Sequence, residues 1–360
     1  CVVLDHGAIQ CTGRHSSFAP DLEAVDDATG DAPDEVGREG TVFTAPEGRF
    51  VEVSAGGDFV CARTQLGRVL CWGGNEFGQL GLGEPTATVG FSDSRFIPLG
   101  VGRTAVQITT GEAFACARLD NGDAKCWGRN NRGQLGARVR DDIGLAPDSM
   151  GDSLDPIRFG EGRTAQTLLA AGEFACALLD DRTIKCWGDN SQGQLGQGQG
   201  WITHGTGRNH MGDSLPAIDV AGERHWTGMS VGERHVCGLN ATAQIYCWGL
   251  NEDGQLGQGD RVSRGRTPDS LAEIRPVPTP NGLAVVDVSA GAHHSCALLA
   301  NRRVICWGDN SAGQLGTGDA LDRGADRAGA VNLVSPIDFG ANCALCAMGQ
   351  ACETPEHCAS

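Results

Sequence analysis

No stretch of this chain comes near the roughly 20 consecutive apolar residues that a membrane-spanning helix requires. The opening residues, CVVLDHGAIQC, read as repeat sequence and not as a signal peptide. Basic residues are scarce: 28 Lys and Arg stand against 45 Asp and Glu, a formal net charge of −17. Such a chain repels polyphosphate and anionic lipid, so the expected partners include no nucleic acid and this segment is not expected to insert into a membrane. Apolar spacings of three and four, the mark of an amphipathic helix, are missing from end to end. Missing too are a G-x-S-x-G elbow, a phosphate-binding loop and a helix with paired metal-binding histidines, so the sequence predicts no enzyme, no cofactor and no metal.

What the chain has instead is one phrase repeated five times: CWGGNEFGQLG from Cys71, CWGRNNRGQLG from Cys126, CWGDNSQGQLG from Cys186, CWGLNEDGQLG from Cys247 and CWGDNSAGQLG from Cys306. A worn copy, CTGRHS, starts at Cys11. Trp72, Trp127, Trp187, Trp248 and Trp307 stand 55, 60, 61 and 59 residues apart, so a single unit recurs with insertions of variable length.

Sixteen cysteines are present, and twelve form pairs ten residues apart: Cys1 and Cys11, Cys61 and Cys71, Cys116 and Cys126, Cys176 and Cys186, Cys237 and Cys247, Cys296 and Cys306. The residues between vary while the spacing does not, which calls for a geometric cause. Disulfides formed in an oxidising compartment supply one, whereas zinc prefers short-spaced ligands and finds no histidine recurring with both cysteines. Between each pair the sequence reads as a hairpin. In FACARLDNGDAKCWG, opposing Cys116 to Cys126 puts Asp120-Asn121-Gly122 in a three-residue turn. The last turn position needs a positive φ, which Gly122 supplies, as do Gly7 and Gly67 in their units. Two further apolar segments precede each hairpin, such as DPIRFG (Asp155 to Gly160) and QTLLAAG (Gln166 to Gly172). Four short strands per unit with turn residues between them define an all-β chain, a β-propeller of four-stranded blades. The recurring Trp suits a ring packed between neighbouring sheets.

The phrase resembles the repeat of the regulator of chromosome condensation family, whose units carry a WG-N--GQLG signature and build a seven-bladed propeller. Five copies match closely and one weakly, so the likeness covers residues 1 to 340. In that pattern the glycines allow tight turns, the Asn bonds its own turn and the Leu fills the wedge between blades. The family includes nuclear exchange factors for a small GTPase, a plant ultraviolet receptor and a secreted inhibitor of β-lactamase, so the resemblance implies a fold and not one function. The cysteine pairs resemble secreted relatives. Five complete units, a leading half from Cys1 and a trailing SPIDFG (Ser335 to Gly340) predict six blades, one completed by both termini, or seven if a blade precedes Cys1. Residues 341–360, with Cys343, Cys346, Cys352 and Cys358, read as a separate cysteine-rich disulfide segment.

Several residues invite chemistry and receive a plainer reading. Asp93, Asp152, Asp213 and Asp269 recur in Asp-Ser loops without the alternating carboxylates of a calcium loop, so they are expected to cap turns. His235 and His294 stand where Phe59, Phe114 and Phe174 stand in other units, which marks a packing position. Trp226 is expected to be buried, while Trp201 sits in a loop as a candidate binding anchor. Asn240, in Asn240-Ala241-Thr242, is a candidate glycosylation acceptor. The acidic, Pro- and Gly-rich insertion from Ser16 to Gly48 has the composition of a partly disordered stretch.

These features together predict a non-enzymatic extracellular or cell-surface propeller, structural or protein-binding. Its partners are expected to be other chains or copies of itself in a surface or filament assembly, as in mastigoneme-like proteins. The alternatives are a secreted inhibitor or binder of a soluble enzyme and, after that, an exchange factor for a small GTPase. Peptide mapping without reduction is expected to recover linked peptides at the ten-residue spacing; any partner for Cys1 other than Cys11 would break the hairpin register.

Overall fold

The computed structural model describes residues 1–11, 13–14, 28–29, 41–207, 209–326 and 329–337. The chain divides into two compact units, Cys1–Ser191 with Gln199–Asp219, and Val220–Ser360 with Gln192–Gly198. Most of the Ser16 to Gly48 insertion lies outside the described residues, as do Cys343, Cys346, Cys352 and Cys358.

In the first unit, β1 (Val2–Val3) and β2 (Ile9–Cys11) are followed by a separate pair, β3 (Gly13–Arg14) with β4 (Ala28–Thr29), and then by β5 (Thr41–Phe43), which completes a sheet in the order β1-β2-β5. Next come β6 (Phe50–Ala55), β7 (Phe59–Thr64), β8 (Val69–Gly74) and β9 (Thr88–Val89) as one four-stranded sheet. Two three-stranded sheets follow: β10 (Ala105–Thr110), β11 (Phe114–Leu119) and β12 (Ala124–Gly128), then β13 (Ala165–Ala171), β14 (Phe174–Leu179) and β15 (Ile184–Gly188). The second unit holds β16 (Trp226–Val231), β17 (His235–Asn240) and β18 (Ile245–Gly249), then β19 (Val285–Ala290), β20 (His294–Leu299) and β21 (Val304–Gly308). Every pairing is antiparallel. These are six blades of a β-propeller.

The fourth segment of each blade is not where the chain order suggested. Ile97 donates its backbone N–H to Val69 O, Ile157 to Ala124 O, Ile218 to Ile184 O, Val277 to Ile245 O and Ile337 to Val304 O, at 2.8 to 2.9 Å. Each segment is therefore the outer edge of the preceding hairpin and not the inner edge of the following one. This also corrects the expectation that SPIDFG completes the leading blade. Its Ile337 lies on β21, while the outer place beside β2 is taken by Phe43, paired with Ile9. One backbone bond per segment leaves little strand pattern to read, and the loop after Gly-Gln-Leu-Gly brings each segment back to its own hairpin.

The hairpin register is as the cysteine spacing requires: Cys61 faces Cys71, Cys116 faces Cys126, Cys176 faces Cys186, Cys237 faces Cys247 and Cys296 faces Cys306. All five pairs and Cys1–Cys11 are disulfide-bonded, with Cα separations of 3.9 to 4.1 Å. A bridge across so short a loop stabilises the fold by about 2–3 kcal/mol through the unfolded chain. Apart from exposed Cys1 and half-buried Cys296, the bridged cysteines are buried. One core cluster holds Phe59, Cys61, Cys71 and Leu80 of one blade together with Trp127 of the next. A second holds Phe114, Cys116, Cys126 and Leu135 with Trp187, and a third holds Cys237, Cys247 and Leu256 with Trp307. Trp72, Trp127, Trp187, Trp248 and Trp307 are all fully buried. Each removes on the order of 200 Å² from water, an upper estimate of about 5 kcal/mol. Central strands such as β7, β11 and β14 are buried on both faces, which is why they read as continuous apolar runs with small Ala residues and not as alternation.

The turn position that needs a positive φ is held by Gly7, Gly67 and Gly122 in three hairpins, but by Arg182, Ala243 and Arg302 in the other three, at φ 61 to 67°. A side chain in that region costs about 1 kcal/mol. Arg302→Gly is therefore expected to raise stability by up to about 1 kcal/mol, less the extra chain entropy of glycine. A thermal melt no higher than that of the parent would contradict this.

Candidate interaction surface in the blade loops

Each copy of the repeated phrase folds into a loop held by its own Asn and Gln groups. The Asn side chain is the centre of it. Its Oδ1 accepts the backbone N–H of the Leu five residues on, as in Leu80 to Asn75, Leu135 to Asn130, Leu256 to Asn251 and Leu315 to Asn310, at 2.9 to 3.2 Å. Its Nδ2 reaches further than the turn-bonding role expected of it and donates to carbonyls of the next loop. Asn130 binds Val139 O and Asp141 O, Asn251 binds Asp260 O and Val262 O, and Asn310 binds Asp319 O and Leu321 O. The Gln carboxamide oxygen accepts the N–H two residues before it, and its backbone carbonyl accepts the indole of the next blade: Trp127 Nε1 donates to Gln79 O, Trp187 to Gln134 O, Trp248 to Gln194 O and Trp307 to Gln255 O, at 2.9 to 3.0 Å. Trp72 Nε1 has no partner among the described residues, in keeping with the worn copy CTGRHS, which carries no Gly-Gln-Leu-Gly to precede it.

With their stems held this way, the loop tips project side chains that the interior does not need. Two residues before the backbone bridge to the Trp-Gly glycine stand Ile202, Val262 and Leu321 in three of the four loops that make this bridge, 51, 60 and 64% exposed, and Asp141 in the fourth. Trp201, beside Ile202, is 66% exposed, whereas Trp226 is fully buried against Tyr246 and Trp248. Both tryptophans are placed as the sequence suggested.

Asp152 and Asp213 cap turns, but not those that follow them in the chain. Asp152 accepts the N–H of Val101 and Asp213 that of Glu161, each at 3.0 Å and from the turn that leads into the inner strand of the same blade, β10 and β13 respectively. Asp269 does not belong in this set. Ser270 accepts the Gly265 N–H as Ser149 accepts that of Gly144, so Asp269 occupies the place of Asp148 and not that of Asp152. The sequence reading also passed over two buried lysines. Lys125 donates to Leu99 O and Gly151 O, and Lys185 to Phe159 O and Gly212 O, tying the same turns together. Burial pulls both ammonium pKa values down, against the pull of Asp152 and Asp213. Among the described residues no group of three or more His, Cys, Asp or Glu side chains is arranged to hold a metal ion. Nor is any helix there long and apolar enough to cross a membrane.

Asn240, the candidate glycosylation acceptor, is buried. Its Nδ2, the atom a glycan would occupy, donates to Glu223, and its Oδ1 accepts the N–H groups of Thr242 and Gln244.

His235 is fully buried, and its Nε2 lies 2.9 Å from Ser295 Oγ. That hydroxyl donates to Gln255 O, so the imidazole carries its proton on Nε2 and leaves Nδ1 bare and unpartnered. A second proton would place a charge in a dry site with no acceptor. Burial, with His293 and His294 adding like charge, accordingly holds the pKa of His235 down to about 3. Burial likewise holds His204 down to about 4, with His210 beside it.

This anatomy is that of disulfide-stapled propeller blades whose loops carry exposed apolar side chains. The chain belongs to the RCC1-like domain family, whose model matches residues 1–350. It is 28% identical over 332 residues to the ultraviolet-B receptor UVR8 of Arabidopsis thaliana, covering 79% of this chain and 70% of that one. It is 29% identical over 273 residues to the human E3 ubiquitin-protein ligase HERC2, where the match covers 74% of this chain and only 5% of the ligase. Human WBSCR16 superposes with a TM-score of 0.68 at 17% identity, over 91% of this chain and 76% of that structure, which speaks for the fold alone.

The buried histidine sets a pH dependence. Below pH 6.5 the unfolded chain takes up a proton that folded His235 refuses, so stability is complete above about pH 7 and falls as the pH drops toward 3, by about 1 kcal/mol per pH unit for each such histidine. His235→Phe, which installs the residue that Phe59, Phe114 and Phe174 represent in other blades, is expected to fold and to remove one proton's share of that slope in denaturant titrations across pH 4 to 7. An unchanged slope would place the titrating group elsewhere.

Proposed function

We propose that this chain is a non-enzymatic protein-interaction propeller that works outside the cell, as a structural element of a cell-surface or filament assembly built from copies of itself or from other chains. The observation that carries this reading is the exposure of Ile202, Val262 and Leu321 at one loop position in three blades, joined by Trp201. Aliphatic and indole groups left in water at repeated loop tips gain free energy when a partner covers them. The oxidising setting that six intra-blade disulfides demand supports a place outside the cell. The formal charge of −17 supports solubility before assembly and weighs against nucleic acid. Within the family, one relative carries the name of a photoreceptor and others the names of a ubiquitin ligase and a guanine nucleotide exchange factor, which leaves the propeller itself as the shared element.

A secreted binder of one soluble enzyme is the second reading. Trp201 favours it, because a single exposed indole suffices as an anchor for a compact partner. Nucleotide exchange on a small GTPase ranks below both, since the staples do not suit a reducing compartment.

Sedimentation velocity over a range of concentrations separates the first two readings. Assembly is expected to grow with concentration and to weaken at least about tenfold in a variant carrying Trp201→Ala, Ile202→Ser, Val262→Ser and Leu321→Ser, with an unchanged thermal melt. A chain that stays monomeric throughout would transfer the loop tips to a different partner, and a variant that assembles like the parent would remove them from the interaction.

A further inference from the structure

The second residue after each Gly-Gln-Leu-Gly occupies one conformation in all five complete blades. It is Gly83, Gly198, Gly259 and Gly318 in four of them, at φ 64 to 77°, and Arg138 in the fifth, at φ 63°. The backbone does the same work whichever residue is there: the N–H groups of Gly83, Arg138, Gly198 and Gly259 donate to Gly144 O, Gly205 O, Gly265 O and Gly324 O. Arginine thus stands in a left-handed position that four sister blades give to glycine, and the backbone offers no reason for it. Strain kept at one copy of a repeat points to the side chain.

That side chain lines a cleft of about 270 Å³. The cleft lies against the outer edge of the β11–β12 hairpin, with an aliphatic wall of Leu135, Ala137, Ile143, Leu154 and Ile157. Arg138 is half-buried there, and among the described residues its guanidinium makes no ion pair and no hydrogen bond. Most other arginines that reach the interior are matched: Arg63 to Glu52, Arg264 to Asp260 and Arg323 to Asp319. Arg118 donates to Gln107 and Arg266 to Gln192, so among the described half-buried arginines Arg138 is the one with neither an ion pair nor a side-chain hydrogen bond.

We propose that Arg138 and this cleft bind a carboxylate carried on a short branched aliphatic group. The guanidinium offers two parallel N–H donors to the carboxylate. The volume is close to the lower limit of ligand pockets, roughly 300 Å³, and suits one aliphatic group of leucine size. The net negative charge of the chain is screened beyond roughly 8–10 Å at ordinary salt, so a ligand at the cleft meets chiefly its local charges. Asp155 also lines the cleft, so a free amino acid would find a partner for its ammonium as well, whereas the end of a polypeptide chain would use Arg138 and the aliphatic wall alone. The site is independent of the loop tips and stands whether or not those bind protein.

Titration calorimetry of the whole chain with N-acetyl-L-leucine, L-leucine and N-acetyl-L-leucine amide tests this. At least one of the two carboxylates is expected to bind, and the amide about tenfold more weakly or not at all. Tighter binding of L-leucine identifies a free amino acid as the ligand, and tighter binding of the acetylated form identifies a chain end. Arg138→Gly, which restores the residue of the sister blades, is expected to lose about tenfold in affinity while melting at the same temperature or higher. Arg138→Gln keeps the side-chain bulk and is expected to show the same loss. Absence of binding by both carboxylates, equal binding of the amide, or full affinity in Arg138→Gly overturns the proposal.

Discussion

A buried indole N–H needs an acceptor, and in these blades the acceptor comes from the neighbouring blade. Trp127, Trp187, Trp248 and Trp307 each donate to the carbonyl of a Gln in the preceding Gly-Gln-Leu-Gly. The bond forms only if the Gln turn is already shaped, and that turn is shaped by an Asn whose carboxamide satisfies both the turn and the following loop. Packing follows from the same constraint, because the Leu of the phrase and the preceding disulfide fill the wedge that the indole closes. One polar contact, one apolar wedge and one turn are thus mutually dependent, and a unit that lacks the phrase leaves its neighbour's indole without a partner, as at Trp72.

The disulfides add to this scheme without replacing any part of it. Three of them lie in the wedge among Phe, Leu or Trp side chains, and all act on the unfolded chain, by closing hairpins that the turn and register already favour. A propeller wedge needs only a small apolar pair at that position. Six bridges therefore say little about how the blades pack and much about the conditions under which the chain folds. The same division runs through the loops. Their stems are bound by Asn, Lys and Asp side chains, while their tips carry Trp201, Ile202, Val262 and Leu321 into solvent.

Much of this was legible in the residues, and the exceptions have physical causes. The hairpin register could be read because disulfide geometry admits one opposition of two cysteines ten apart. Burial of His235 could be read because Phe takes its place elsewhere. The outer strands were misassigned because each is held by a single backbone bond, which imposes no alternation and leaves chain order as a poor guide to spatial order. Asp269 was grouped with Asp152 because Asp-Ser recurs twice within one loop, at Asp148 and at Asp152, and only the Ser270 bond to Gly265 shows which copy it matches. Lys125 and Lys185 were passed over because a lysine in a strand reads as solvated unless its distant carbonyl partners are known. The departure at Arg138 was visible by setting GARV beside GLGE, GQGQ, GQGD and GTGD, but its meaning was not, since the left-handed backbone and the cleft belong to three dimensions.

The sequence by itself determined the repeat, the hairpin and the staple, since these rest on local rules: a spacing of ten, a turn that wants positive φ, and a phrase of glycines around Asn and Gln. The tertiary structure alone decided which sheet each outer segment joins, which carbonyl each Trp and Lys finds, and which side chains are left in water. Those outcomes depend on bonds between residues 26 to 54 positions apart, and nothing within a single copy of the repeat specifies a partner at that distance.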